Sequence, residues 1–465
     1  MFAIPGIVLL IVFIYIRPQE FVPILRAVPL LYLFFALAIF GFIVDLRLRR
    51  IKPMLTPQFF WVFAFFAWCM VTLVLRAPAQ IPHGALEVGI SIILYLLIGH
   101  GVQTFRAFQL VVGTLLAVTI FLAAVGVHQG FQPFGCHVID TSNPGDLSVG
   151  VYDGRPCENE RECLQGDPEP GADYLCERVG LFGTSTIGKG RVRYLGPLQD
   201  PNELSLALGI GLPFAFAFYE RKRSTARVLL LATALVLVGT CTVFTQSRGG
   251  QLVFLAAVGA YFVKRYGVRG LILGAILAAP LLLLGGRSGE EAEASSLERL
   301  ECWYEGMSMF KQYPILGVGQ GQFTEHHFLT AHNSYVLAPA ELGFPGMVLW
   351  SIVMFITVKT PVRALQWLSR KSPSVAGPEA NVARSWAMGL LASLIGLLVG
   401  IFFLSFCYHQ TLWIYIGLSG ALYCSLKLHD PEWEVKFGWK DFFAVIAIDL
   451  LLIAILFVYT RLKAP

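Results

Sequence analysis

Charge is scarce in this sequence. Only 14% of its 465 residues are Asp, Glu, Lys or Arg, against roughly 25% in a soluble domain. Hydrophobic residues make up 56% and the mean hydropathy is +0.66. A water-soluble globular chain is thereby excluded, and a polytopic membrane protein is expected. Nucleotide-binding loops are missing as well: there is no G-x4-G-K-[ST] and no Rossmann fingerprint. No two cysteines stand at C-x2-C spacing, so a zinc site lacks its usual signature. No internal repeat is visible. The first apolar stretch has neither a basic leader nor a small-residue cleavage site, so no cleaved signal peptide is expected. The net charge is +5; its basic residues cluster between apolar stretches, as membrane topology requires, and call for no nucleic-acid partner.

What is present is hydrocarbon. About 12–13 stretches are long enough, or nearly so, to cross a bilayer core of roughly 30 Å. They lie near 2–16, 27–44, 59–75, 85–100, 108–127, 202–219, 228–244, 250–263, 269–285, 335–358, 386–407, 410–427 and 441–459. The fold expected is an all-α polytopic membrane protein in three blocks. Residues 1–127 form an N-terminal transmembrane block, 128–201 a polar loop, and 202–465 a C-terminal transmembrane block containing a second loop, 286–334. Basic clusters at Arg47, Arg49, Arg50 and Lys52, at Arg221, Lys222, Arg223 and Arg227, and at Lys264, Arg265 and Arg269 favour a cytoplasmic N-terminus. Both long loops then face outward. Cys136, Cys157, Cys163 and Cys176 in the first loop suggest two disulfides, with three pairings open. Cys69, Cys241, Cys407 and Cys424 read as packing residues, and Cys302 is left over.

The second loop is organised. Ser295 to Glu298 has the capping-box pattern. The run that follows places Leu300, Trp303, Met307 and Phe310 on one helical face. This predicts a helix on the membrane surface or on the bundle, ended by Pro314. Gly317-Val318-Gly319-Gln320-Gly321 follows no strand and reads as a backbone turn.

Polar groups at the edge of a membrane are costly and mark candidate sites. Three clusters share one depth. The first is Arg191 and Arg193, followed by Asp200, Asn202 and Glu203. The second is Thr245-Gln246-Ser247-Arg248-Gly249-Gly250, and the third is His332-Asn333-Ser334-Tyr335 with Glu341. Arg248 can aim its donor fork at phosphate oxygens, with glycines letting a ligand approach the backbone. Equally, it can snorkel to headgroups. His332 is either a proton carrier near neutral pH or an interfacial histidine bonded to a carbonyl. His326 and His327 stand near it, but His-His-x4-His is no standard metal spacing. Asp200, Asn202 and Glu203 also fit a helix cap and first turn. Arg299 is expected to pair with loop glutamates. Glu87 and Asp449 are isolated within spans, either satisfied in the bundle or relaying protons. A secondary transporter would show repeats and polar groups at mid-membrane; here they gather at one face.

These motifs occur in a recognisable order: Arg193 with Gln199 to Leu204, Thr245 to Gly250, Glu298-Arg299-Leu300 with Trp303, Pro314 to Gly319, and His332 to Tyr335 with Glu341-Leu342-Gly343. In this the chain resembles the O-antigen ligase and polymerase superfamily of bacterial integral-membrane glycosyltransferases. The resemblance implies a C-type glycosyltransferase-like bundle with two large periplasmic loops, in the inner membrane, with its active site facing the periplasm. It implies a glycan donor linked to undecaprenyl pyrophosphate, a glycan or lipid acceptor, and other polysaccharide assembly proteins as partners. It implies no cofactor and no metal, since the lipid pyrophosphate is itself the leaving group. His332 would be the catalytic base. Arg248, Arg193 and Arg191 would bind pyrophosphate, with Arg193 preferred to Arg191 because it is nearer the membrane. Asn333, Tyr335, Glu341, Asn202 and Arg299 would support the site. Polymerisation of O-antigen or exopolysaccharide is the first expectation; ligation to lipid A core, making lipopolysaccharide, or to a protein hydroxyl is the alternative. The cysteine-bearing loop is longer than the family pattern leads one to expect.

Overall fold

The computed structural model describes residues 1–138, 151–165, 172–284, 286, 289–370 and 373–463. The chain opens with α1 (Ala3–Ile16), α2 (Leu30–Arg47), α3 (Phe59–Arg76), α4 (Ile81–Gly101) and α5 (Phe105–Phe131). A small sheet follows: β1 (Phe134–Val138), β2 (Val151–Pro156), the short α6 (Glu160–Cys163) and β3 (Tyr174–Arg178). Then come α7 (Pro201–Gly211), α8 (Pro213–Arg221), α9 (Thr225–Phe244), α10 (Arg248–Tyr266) and α11 (Val268–Leu284). The chain continues through α12 (Glu290–Gln312), the short α13 (Phe323–His326), α14 (Ser334–Arg370), α15 (Pro373–Gly400), α16 (Gln410–His429) and α17 (Trp439–Lys463).

Among the described residues ten helical segments are long and apolar enough to span a membrane, α7 and α8 counting as one. The other three apolar stretches fall on α1, α10 and α11, which are shorter or less apolar. The chain is therefore an all-α, multi-pass membrane protein with a minor sheet.

Packing divides it into two units, both discontinuous in sequence. One comprises Met1–Ile7, Ala36–Val112 and Ser288–Pro465; the other comprises Val8–Phe35 and Gly113–Arg287. These units follow packing rather than the three sequence blocks, because an apolar run identifies a span without naming its neighbours.

In the first unit α14 packs against α3, α12, α15, α16 and α17. Its regularity breaks at Gly343, whose φ of 67° is open to glycine at little cost. The break frees carbonyls that the helix would otherwise use, and Pro345 has no N–H to offer Glu341. The 314–319 segment fills the gap. Val318 N–H donates to the Ala340 carbonyl and Gly319 N–H to the Glu341 carbonyl, both at 2.9 Å, while Phe344 N–H donates to the Pro314 carbonyl at 2.7 Å. The glycine-rich run is thus a backbone splint on a kinked helix. Helix α12 begins earlier than the capping-box pattern implied. Ser295 lies inside it, because Glu290 to Ala294 are mostly good helix formers and extend the turn backward. Leu300, Trp303, Met307 and Phe310 are all buried, and α12 lies on the bundle against α14 and α17.

In the second unit α10 packs on α7 and α11. The sheet is antiparallel, in the order β2-β1-β3. Cys136 is joined to Cys163 and Cys157 to Cys176, around a small core with Tyr174 and Phe134. A patch this small has little apolar area to bury, and cross-links compensate. Cys69, Cys241, Cys302, Cys407 and Cys424 are buried thiols.

Candidate active site

The second unit gathers the arginine-bearing segments. Asp200 caps α7: its Oδ1 accepts from the Asn202 backbone N–H and from Asn202 Nδ2, both at 2.8 Å. Ser247 caps α10, accepting the Gly250 N–H at 3.0 Å. The same hydroxyl donates to Asn202 Oδ1 at 2.7 Å, so one serine fastens the starts of both helices. Gly250 has its reason here. A Cβ would run into Ser205 Oγ on α7, so the glycine lets two helices meet rather than admitting a ligand. Arg248 is the first residue of α10 and is exposed. Arg191 is half-buried and donates Nε–H to the Thr245 carbonyl at 3.1 Å. Val192 N–H donates to the Phe244 carbonyl at 3.1 Å.

Arg193 differs from these. It is only 3% exposed. Its Nε donates to the Ser185 carbonyl at 3.0 Å and its Nη2 to Ser185 Oγ at 3.1 Å. Its backbone N–H donates to Gln129 Oε1 at 3.0 Å. Glu177 of β3 accepts the Thr186 hydroxyl in the same cluster. Burial raises the Glu177 carboxyl above its ordinary value, opposed by the Thr186 bond and the Arg193 charge. Thr186 N–H donates to the Arg178 carbonyl at 3.1 Å. An unbroken path therefore runs from the cross-linked sheet to the start of α10.

The first unit holds the histidine loop. His332 is half-buried with a φ of 47°, a left-handed conformation that few non-glycine residues adopt. Asn333 is buried and caps α14, its Oδ1 accepting the Tyr335 N–H at 2.9 Å. The loop is sewn to the segment after α15. Ser334 N–H donates to the Ile401 carbonyl at 2.8 Å. Ser334 Oγ donates to the Leu404 carbonyl at 2.7 Å and accepts the Phe406 N–H at 2.8 Å. Tyr335 OH donates to the Leu398 carbonyl at 3.1 Å. Glu341 is 2% exposed and accepts the Gly321 N–H at 2.9 Å and the Phe323 N–H at 3.1 Å. Arg299 is half-buried on α12.

The sequence did not reveal the 401–408 cradle, although polar Ser405, Tyr408 and His409 between two apolar runs were a signal for it. Nor did it reveal Ser185, Thr186 and Glu177 behind Arg193. Glu87 accepts Gln320 Nε2 at 2.8 Å and Asp449 accepts Ser351 Oγ at 2.7 Å, so both are hydrogen-bonded within the bundle.

Residues 233–351 match the O-antigen ligase family. The O-antigen ligase segment runs from within α9 to within α14. It therefore contains Arg248, Arg299, His332, Asn333, Tyr335 and Glu341, and leaves out Arg191, Arg193, Asn202 and the four cross-linked cysteines. The motif-based resemblance is supported where its densest motifs lie. No curated protein matches the chain. A solved structure described as "Structural coordination of polymerization and crosslinking by a peptidoglycan synthase complex" is similar at 16% identity and a TM-score of 0.41, covering 81% of this chain and 97% of that one. A likeness at that level carries no functional argument.

Proposed function

We propose that the protein is a membrane glycosyltransferase that polymerises undecaprenyl-pyrophosphate-linked repeat units of O-antigen or exopolysaccharide. The reaction would take place at the periplasmic face of the bacterial inner membrane, with the N-terminus cytoplasmic. The O-antigen ligase match supports the reaction class. The observation that carries the donor assignment is Arg248 at the first position of α10. Its guanidinium is exposed beside the N-terminal amides of α10, and a helix N-terminus and an arginine fork both favour phosphate oxygens.

In this reading an acceptor hydroxyl attacks the anomeric carbon of the donor. The new glycosidic bond forms as the bond to pyrophosphate breaks, with inversion. His332 takes the hydroxyl proton, and Arg248 stabilises the charge that develops on the departing lipid pyrophosphate. Arg191 is a second ligand. Arg193, being buried against Ser185, holds the loop that carries Arg191 rather than touching the donor. Asn202 acts through Ser247, and Asn333, Tyr335 and Glu341 position the histidine loop. No metal or cofactor takes part.

The family description favours a second reading, ligation of the same donor to lipid A core or a protein hydroxyl. Purified protein with lipid-pyrophosphate-linked repeat units and no other acceptor separates the two. A ladder of lengthened products, lost in His332→Ala, supports polymerisation. Transfer only when lipid A core or a protein acceptor is added supports ligation. No transfer to any acceptor from folded protein overturns both.

A further inference from the structure

The far end of α14 carries a feature that the proposed reaction does not use. Helix α14 has 37 residues, about 55 Å at 1.5 Å per residue, which exceeds a hydrocarbon core of roughly 30 Å. Its C-terminal turns therefore reach the membrane face opposite His332. There a cavity of about 270 Å³ opens between these turns and the 433–436 loop, lined by Lys359, Arg363, Arg370, Trp367, Trp433 and Lys436 among others.

The lining is cationic. Glu434 is its one carboxylate, and it lies 3.1 Å from Lys436 Nζ. Lys359 Nζ is held by Asp441 at 2.7 Å and by the Lys436 carbonyl at 2.8 Å. Arg363 Nη1 donates to Gln366 Oε1 at 3.2 Å, and neither Arg363 nor Arg370 forms an ion pair among the described residues. The loop is braced, since Lys427 Nζ donates to the Pro431 and Trp433 carbonyls at 2.8 and 2.7 Å. The two tryptophans differ. Trp367 Nε1 donates to Asp430 at 2.7 Å. Trp433 is 1% exposed, yet its Nε1 is a buried donor with no hydrogen-bond partner among the described residues. Two unbridged guanidinium groups and an unmet buried N–H around one cavity call for an acceptor-rich anion. Guanidinium forks match phosphate oxygens. The end of a spanning helix, with tryptophans beside it, is where headgroups lie.

We propose that this cavity binds the phosphate of an anionic phospholipid. A soluble phosphate ester offers the same oxygens, and the experiment separates the sources. Native mass spectrometry of the full-length protein in detergent, with phosphatidylglycerol and phosphatidylcholine supplied together, should show phosphatidylglycerol retained in preference. Arg363→Ala with Arg370→Ala should cut that preference about thirtyfold, as expected for two lost surface cations. Trp433→Phe should lower it less, with thermal unfolding unchanged in the arginine double variant and lowered in Trp433→Phe by the cavity it leaves. Lys222→Ala with Arg223→Ala, remote in sequence, should leave it intact. Retention that millimolar inorganic phosphate cannot displace assigns the site to the lipid. Arginine-dependent displacement by inorganic phosphate alone assigns it to a soluble phosphate ester. Equal retention of both lipids, or equal loss from the two double variants, overturns the proposal.

Discussion

Two helix starts, those of α10 and α14, are built alike and present different side chains, an arginine at one and a histidine at the other. Each is preceded by a non-glycine residue in the left-handed region, Gln246 at φ 52° and His332 at φ 47°. Each then has a capping side chain, Ser247 or Asn333, and a first helical residue, Arg248 or Ser334. Such backbone strain costs about 1–3 kcal/mol and persists where its surroundings over-determine it. At α10 the strained residue is neutral and the charge stands on the helix itself, where the proposed donor would place its pyrophosphate. At α14 the strained residue is the titratable one, displayed by the turn. The supports differ as well. Guanidinium hydrogen bonds to uncharged oxygens and a cross-linked sheet hold the first loop, whereas the splint beside the second is tied by a buried carboxylate. In the proposed reaction the same local device would serve binding in one place and proton transfer in the other.

His332→Ala tests that division most severely. Loss of a general base should lower turnover by about 10²–10⁴-fold, with donor binding and thermal stability kept, as single-turnover assays and donor titration would measure. Gln246→Ala, at the equivalent strained position, should leave turnover within a few-fold; equal loss in both variants would mean that strain, not the imidazole, is what matters. Glu341→Ala comes next. It strands the buried Phe323 amide and releases that of the exposed Gly321, and an unsatisfied buried donor costs about 1–3 kcal/mol. A clear fall in Tm is expected, and an unchanged Tm would deny Glu341 its splinting role. Arg248→Ala should weaken donor binding by about 1.5–3 kcal/mol, the range for hydrogen bonds to charged groups, with Arg248→Lys intermediate. Unchanged donor affinity would return Arg248 to the headgroup-snorkelling reading. Ser247→Ala removes a cap worth about 1 kcal/mol and the link to Asn202, so its loss should show in Tm before it shows in donor affinity.

The spans were legible because lipid imposes length and apolarity on each one separately; each apolar stretch overlaps a helix, although the 386–407 stretch runs past the end of α15 into the 401–408 cradle. The α12 stripe was legible for the same reason, since Leu300, Trp303, Met307 and Phe310 repeat at the helical period. The sheet was not. β1 does alternate, with Phe134, Cys136 and Val138 set against Gly135 and His137, but strands of five or six residues in a polar loop are too short to be told from loop without their partners. Nearness to the membrane gave the preference for Arg193 over Arg191; that Arg193 is also buried against Ser185 depends on a partner eight residues earlier folding back. Gly249-Gly250 read as a ligand approach, when Ser205 of another helix occupies the space beside Gly250. In each case the missing information was a tertiary neighbour.

The smallest effect concerns Glu177, behind the arginine loop. Burial raises its carboxyl above the ordinary 4.5, while the Thr186 bond and the Arg193 charge pull the other way. An acid whose pKa rises on folding contributes its full stability below the unfolded pKa and loses that share as pH climbs through the folded value. Wild-type protein should therefore shed a small increment of stability above pH 4.5. Glu177→Gln, neutral throughout, should not. Thermal unfolding of both proteins in one detergent, at stepped pH from 4.5 upward, should show the difference in Tm shifting towards the glutamine variant. A shift the other way would mean that attraction between Glu177 and Arg193 outweighs burial. The arginine loop would then be held by charge, as the splint beside the histidine loop is, and the contrast between the two supports would fail.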